Sequence, residues 1–161
     1  FLFSKMVQSE DLYEYIDQKS VGCLNTQDKG MGVFSGTGIK SDCDEQLLIS
    51  VSFNTPVTIT NFQFSATDTD RAPRSVKLFA NGLNMDFDDA ESRLPTVAVE
   101  LEEDQKELKV LPTKFNRVSS LVIFIENNQG DEEVTVVNKI TLIGWPLSNM
   151  DVKNLKKVED H

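Results

Sequence analysis

Between residues 47 and 143, apolar and polar residues alternate in short runs, the period-two signature of strands with one buried face. Leu47-Leu48-Ile49-Ser50-Val51-Ser52-Phe53 opens the series, Val57-Thr58-Ile59-Thr60 continues it, and Phe62-Gln63-Phe64 extends the same pattern. Asn54-Thr55-Pro56 reads as a turn between the first two runs, because Asn tolerates turn conformations and Pro presets one. Val76-Lys77-Leu78-Phe79 is expected to end at Asn81-Gly82, a turn dipeptide. Thr96 to Leu101 alternates cleanly. Leu121-Val122-Ile123-Phe124-Ile125 is apolar throughout, as a central strand covered on both faces should be. Val134–Val137 and Lys139–Ile143 complete the set, after an Asn127–Gly130 loop.

Short strands with turn signals about every ten residues predict a β-sandwich or barrel. Strands do not alternate with helices, which argues against a parallel nucleotide-binding sheet. Helix signals are confined to the ends. Ser9 is the expected cap of a short helix burying Leu12, Tyr15 and Ile16. Ser148 with Asp151 three residues on resembles a capping box, and Val152, Leu155 and Val158 then form a narrow apolar stripe. This divides the 161 residues into an edge segment (1–9), a β-sandwich (10–147), and a C-terminal helix with a flexible tail (148–161). The chain opens on Phe1, in keeping with the cut edge of a larger protein.

Charge narrows the partners. The formal net charge is −10, and Lys153, Lys156 and Lys157 form the one basic cluster. Such a surface repels phosphate, so neither nucleic acid nor an anionic membrane is an expected partner. Self-repulsion favours a monomer. No Asn-x-Ser/Thr sequon occurs, in keeping with an intracellular protein.

Candidate chemistry is sparse. The single histidine is the last residue, His161, which leaves no base for a Ser-His-Asp or Cys-His arrangement. Cys23 and Cys43 match no zinc spacing. A bridge between them is geometrically open, and two buried thiols is the plainer expectation. The run from Gly30 to Ser41 fails the phosphate-loop pattern, since Ile39 separates Gly38 from Lys40, and reads as a flexible surface loop. Acids gather at Asp42–Glu45, at Asp68 and Asp70, and from Asp86 to Glu91. None has calcium-loop spacing, and solvated loops or helix N-terminal acids are the expected reading. Trp145, between Gly144 and Pro146, is a core or rim plug or an interface anchor. No enzyme activity and no cofactor is expected. A carbohydrate- or small-ligand-binding jelly roll is the alternative to an interaction module. It requires exposed aromatics in a loop cluster, whereas both tyrosines lie near the N-terminus.

Several blocks together resemble the PITH family, named for proteasome-interacting thioredoxins. They are Cys23-Leu24-Asn25, then Ser41 to Ile49, Phe53-Asn54 with Pro56-Val57, Met85 to Glu91 with Pro95-Thr96, Asn128 to Glu133, and Ile143-Gly144. The resemblance implies an all-β, jelly-roll-type sandwich of the galactose-binding-like kind. It also implies a cytoplasmic and nuclear module that docks a thioredoxin domain, absent from this chain, on the 26S proteasome regulatory particle. The regulatory particle contains a zinc deubiquitinase with an open metal position, which His161 could reach on a flexible arm. His161, Asp160, Glu159, Trp145, Asp86 and Asp88 are therefore the candidate partner-binding residues, with no metal held by the chain itself.

Overall fold

The computed structural model describes residues 9–27 and 32–147. The C-terminal helix expected from Ser148 and Asp151, with Val152, Leu155 and Val158, lies outside the described residues. The same holds for His161, Asp160 and Glu159.

Ten strands dominate the described residues. They are β1 (Glu10–Asp11), β2 (Gly22–Leu24), β3 (Ile39–Lys40), β4 (Leu47–Ser65), β5 (Ser75–Ala80), β6 (Val97–Glu100), β7 (Glu107–Lys109), β8 (Val118–Ile125), β9 (Val136–Val137) and β10 (Lys139–Pro146). All named pairs are antiparallel.

β4 organises the molecule. Its first part, Leu47–Ser52, pairs with β8, while Leu48–Ser50 also pairs with β2. Its second part, Val57–Ser65, pairs with β10, and Asn61–Gln63 pairs with β7. One strand thus belongs to both layers: β2-β4-β8-β5-β6 in the first, β1-β10-β4-β7 in the second. The expected turn at Asn54-Thr55-Pro56 is instead the irregularity where β4 passes between layers. Its register against β8 jumps there from Ser52 to Val57 without the chain reversing. The same residue types serve a turn and a break in a ladder, because both leave backbone groups unpaired and both tolerate proline.

A second irregularity corrects the phase of the side chains. Ile143 pairs with Asn61 but Gly144 with Ile59, so Thr60 is extra. Without it, Ile59 and Phe62 could not both face inward, since a one-residue slip flips a strand's faces. With it, both are fully buried. Gly144 is required at this point, because a Cβ there would lie 1.8 Å from the Thr58 carbonyl oxygen.

The core fills the space between the layers. Leu47, Ile49, Leu121 and Ile123 face Phe62, Ile140 and Leu142, and Phe62 meets Phe115 edge-on with ring centroids 5.5 Å apart. β8 is the expected central strand, flanked by β4 and β5. β5, β6 and β10 fall where the alternation predicts, Val134–Val137 shortens to β9, which pairs with β3, and β1, β2, β3 and β7 are short strands that the alternation does not announce.

The N-terminal helix differs from expectation. Leu12–Tyr15 forms one 3-10 turn capped by Asp11, whose side chain accepts the Tyr13 amide, and not by Ser9. Pairing of Glu10 and Asp11 with β10 holds the chain extended until then. Leu12 and Ile16 are buried as expected, while Tyr15 is half-buried and donates its hydroxyl to Glu10.

The acidic run from Asp86 forms a short helix, α1 (Phe87–Ser92). Asp86 Oδ1 accepts the Asp89 amide at 2.8 Å, and Asp89 Oδ2 accepts the Asp86 amide at 3.1 Å, a reciprocal cap. Six residues do not hold a helix in water by themselves. Packing does: Ala90 is buried on the outer face of the first layer with Leu48, Phe79, Val122 and Phe124, and Met85 and Phe87 lie against them. Phe87 and Phe124 meet edge-on at 6.0 Å.

Candidate partner-binding surface

The sequence blocks from residues 23, 41 and 128 converge through side-chain hydrogen bonds. Asn25 follows β2 with φ of 73°, a left-handed conformation that Asn tolerates better than most residues. Its Nδ2 donates to the Gln46 carbonyl at 2.7 Å and to Asp44 Oδ1 at 2.8 Å, and its Oδ1 accepts the Cys43 amide at 3.0 Å. Its carbonyl accepts the Asp42 amide at 2.9 Å. This one side chain folds the acidic loop 42–46 back onto β2.

Ser41, Asn128 and Thr135 are buried polar residues, and each is paired. Ser41 and Thr135 exchange two bonds, Ser41 N–H to the Thr135 carbonyl and Thr135 N–H to Ser41 Oγ, both 2.9 Å. Thr135 Oγ1 donates to the Glu45 carbonyl at 2.6 Å and accepts from Asn128 Nδ2 at 3.0 Å. Asn128 also donates to the carbonyls of Glu132 and Val134 and accepts the Glu132 amide at 2.7 Å. A buried network with its members satisfied rigidifies a loop cluster. These blocks therefore act as scaffolding. Gln46 Nε2 extends it to α1, 3.5 Å from Glu91 Oε1.

Around α1 the surface is different. Asp86 and Asp88 are exposed, and they act as helix cap and first-turn acid. Leu83 before the helix is 60% exposed and Leu94 after it is 94% exposed. Among the described residues, Leu94 is the most exposed of the large apolar side chains. Trp145 does not join them. It is half-buried near the end of β10, opposite Thr58, among the outward positions of the second layer, whereas α1 covers the outside of the first. Of the candidate residues that are described, Trp145 thus lies apart from Asp86 and Asp88. Leu83 and Leu94 were missed because an isolated leucine in a loop carries no periodic signal.

A cleft of about 560 Å³ opens where the connections β4–β5 and β6–β7 meet Gln129. Leu101, Pro73 and Ala66 line it, and Glu102, Glu103, Asp104 and Lys106 stand around it. Beside it, Arg71 joins Asp68 at 2.9 Å and Glu132 at 3.2 Å. The hydrogen bond from Arg71 holds the Asp68 carboxyl below its ordinary value and raises the guanidinium in turn.

Two expectations need correction. The Gly30–Ser41 run is not simply a surface loop: in its described part Val33 and Phe34 are core residues, and the Val33 carbonyl accepts the Ile140 amide at 2.9 Å. Of the two cysteines, Cys43 is exposed and Cys23 half-buried, and no disulfide joins them. Among the described residues, no three His, Cys, Asp or Glu side chains are grouped to hold a metal ion, and no helix is long and apolar enough to cross a membrane.

Comparison with known proteins places this geometry. Residues 4–160 match the PITH domain. Thioredoxin-like protein 1 of Schizosaccharomyces pombe is 34% identical over 157 residues, covering 89% of this chain and 54% of that protein. PITH domain-containing protein 1 of Danio rerio is 33% identical over 139 residues, covering 78% of this chain and 66% of that protein. This chain thus spans less than two thirds of either relative. Among solved structures, an F5/8 type C domain from Bacteroides fragilis superposes with a TM-score of 0.59 at 14% identity, covering 88% of this chain and 98% of that one. A family 32 carbohydrate-binding module from Clostridium perfringens, in complex with galactose, gives a TM-score of 0.58 at 8% identity, covering 84% and 99%. At such identities the likeness concerns the fold, a galactose-binding-like jelly roll. With its strand-sharing sandwich and the match over residues 4–160, this chain belongs to the PITH domain family.

Proposed function

We propose that this PITH domain is a non-enzymatic docking module that attaches a thioredoxin domain to the regulatory particle of the 26S proteasome, in the cytoplasm and nucleus. The observation that carries the reading is the family match over residues 4–160, together with a thioredoxin-like relative whose length extends well beyond the aligned region. The surface supports it: Leu83 and Leu94 stand open beside the acids of α1, suited to a partner with apolar and basic groups. In this reading the tail adds a second contact. His161, flanked by Asp160 and Glu159, supplies an imidazole to the open zinc position of the particle's deubiquitinase. Purified 26S proteasome is captured by the immobilised chain, and deleting His161 weakens capture and changes deubiquitinase turnover. No capture by the full chain, under conditions that keep the proteasome intact, sinks the docking reading; unchanged capture and turnover without His161 sinks the tail contact alone.

A second reading, a carbohydrate-binding module, draws on the galactose-complexed fold neighbour and on the cleft. Sugar faces stack on exposed rings, whereas the aromatic residue lining this cleft, Phe64, is 3% exposed. A glycan array with specific, saturable signal would reverse this ranking.

A further inference from the structure

Among the described residues β6 is paired on one side only, with β5. The direction of its remaining backbone groups follows from two bonds. Leu101 N–H donates to the Arg74 carbonyl at 2.7 Å, so Arg74, Val76 and Leu78 turn their polar groups toward β6. Glu126 N–H donates to the Ser75 carbonyl at 2.8 Å, so Ser75 and Lys77 turn theirs toward β8. Glu100 and Ala98 lie opposite Ser75 and Lys77, and their N–H and C=O groups therefore point away from β5, along the free edge.

Natural sheets usually blunt such an edge with lysine, proline or a covering segment. Val97-Ala98-Val99-Glu100 contains neither lysine nor proline, and Ala98 and Glu100 are exposed. The ends of the edge are distinctive. Leu94, 94% exposed, precedes it. Leu101 follows it into the 560 Å³ cleft, where Glu102, Glu103 and Asp104 stand against the single cation Lys106. An unpaired ladder, an apolar knob and an acidic cleft thus lie consecutively along residues 94–106.

We propose that the free edge of β6 takes an extended, basic segment of a partner polypeptide as an added strand. Backbone bonds to Ala98 and Glu100 give the pairing, Leu94 packs on an apolar side chain, and the acids beyond Leu101 receive lysine or arginine. A second copy of this chain is the poorer occupant, since two molecules of net charge −10 repel. This deepens the docking reading by naming where and what the module grips.

The probe is acetyl-Lys-Val-Lys-Val-Lys-Val-Lys-amide, titrated into the ¹⁵N-labelled chain. Saturable shifts centred on residues 94–106, with slowed hydrogen exchange at the Ala98 and Glu100 amides, are expected. Ala98→Pro removes an outward N–H and leaves the β5 ladder intact, and should weaken the peptide at least tenfold. Backbone N-methylation of the peptide should do the same to the unaltered chain, which keeps the test valid if the proline variant misfolds. Binding that survives both changes, shifts centred elsewhere, or edge protection that appears with protein concentration and no peptide overturns the proposal. Proteasome capture separates the two readings. If Ala98→Pro, folded, still captures the proteasome as the unaltered chain does, the edge is not the grip and docking stands. If the unaltered chain captures none, docking falls while the peptide titration still decides the edge.

Discussion

Around Asn25, Ser41 and Asn128, polar side chains are turned inward and bonded to backbone; around α1 and β6, acids, leucines and two strand amides are turned outward. The first region is an arrangement of loops made rigid, with Asn128 alone bonded to Glu132, Val134 and Thr135. The second is an ordered edge with groups left over, among them Leu94 and the backbone of Ala98. Both regions contribute to the blocks that carry the family resemblance, yet they answer different demands. Asn128-Gln129-Gly130 is explained by the bonds it makes inside the chain, whereas Asp88 and Leu94 make too few such bonds to be explained that way. Functional surface is better sought among residues the fold does not use.

That contrast can be broken by mutation. The largest effect is expected for Asn128→Ala, which strips partners from two partly buried carbonyls and from buried Thr135: about 3 kcal/mol of stability, read by urea unfolding. A loss under about 1 kcal/mol would mean that water replaces the side chain and that the network is not structural. Asn25→Ala should cost about 1.5 kcal/mol, less because the site is half-exposed. It should also raise hydrogen exchange at Cys43, whose amide donates to Asn25 itself, and at Gln46, whose amide donates to Asp44. In the open region the sign of the comparison reverses. Leu94→Ser should change stability by no more than about 0.5 kcal/mol while reducing proteasome capture severalfold. A destabilising Leu94→Ser with intact capture would make Leu94 a fold residue and erase the distinction.

The smallest effect is electrostatic. Arg71 holds Asp68 below its ordinary value of 3.8, so the bond stabilises the fold fully above the unfolded-state value and is lost as pH falls through the lowered one. Asp68→Asn should therefore lower stability slightly at neutral pH and leave it unchanged below the lowered value, which flattens the acid limb below about pH 4; the change is small because the pair is solvent-screened. An NMR titration of the Asp68 carboxyl that shows an ordinary midpoint would remove the expectation.

How far the sequence could be read depends on which signal an element emits. β8 was legible because five consecutive apolar residues, Leu121 to Ile125, admit few other settings. α1 was half legible: its acids suggested a helix start, while the apolar face that holds it, Phe87 and Ala90 on Phe124, appears only once the sheet is assembled. Asn54-Thr55-Pro56 misled, because composition marks an interrupted ladder without saying whether the chain reverses. Asn128 reads as a loop residue and Thr135 as a polar strand position, since a polar side chain does not announce that it is buried. The free edge of β6 was invisible for a topological reason. Alternation at Val97 to Glu100 shows a strand, but only strand order shows that one of its sides has no neighbour among the described residues.

The sharing of β4 between layers has a kinetic consequence. Its partners β2, β7, β8 and β10 come from residues 22 through 146, so no local hairpin completes it. Assembly must wait for distant segments, which places this domain among the slow folders, in the millisecond-to-second range typical of sandwiches. Neither layer can melt alone while the strand they hold in common stays paired. The amides of β4 should therefore exchange only through global unfolding, and the described sandwich should be lost in one transition rather than layer by layer.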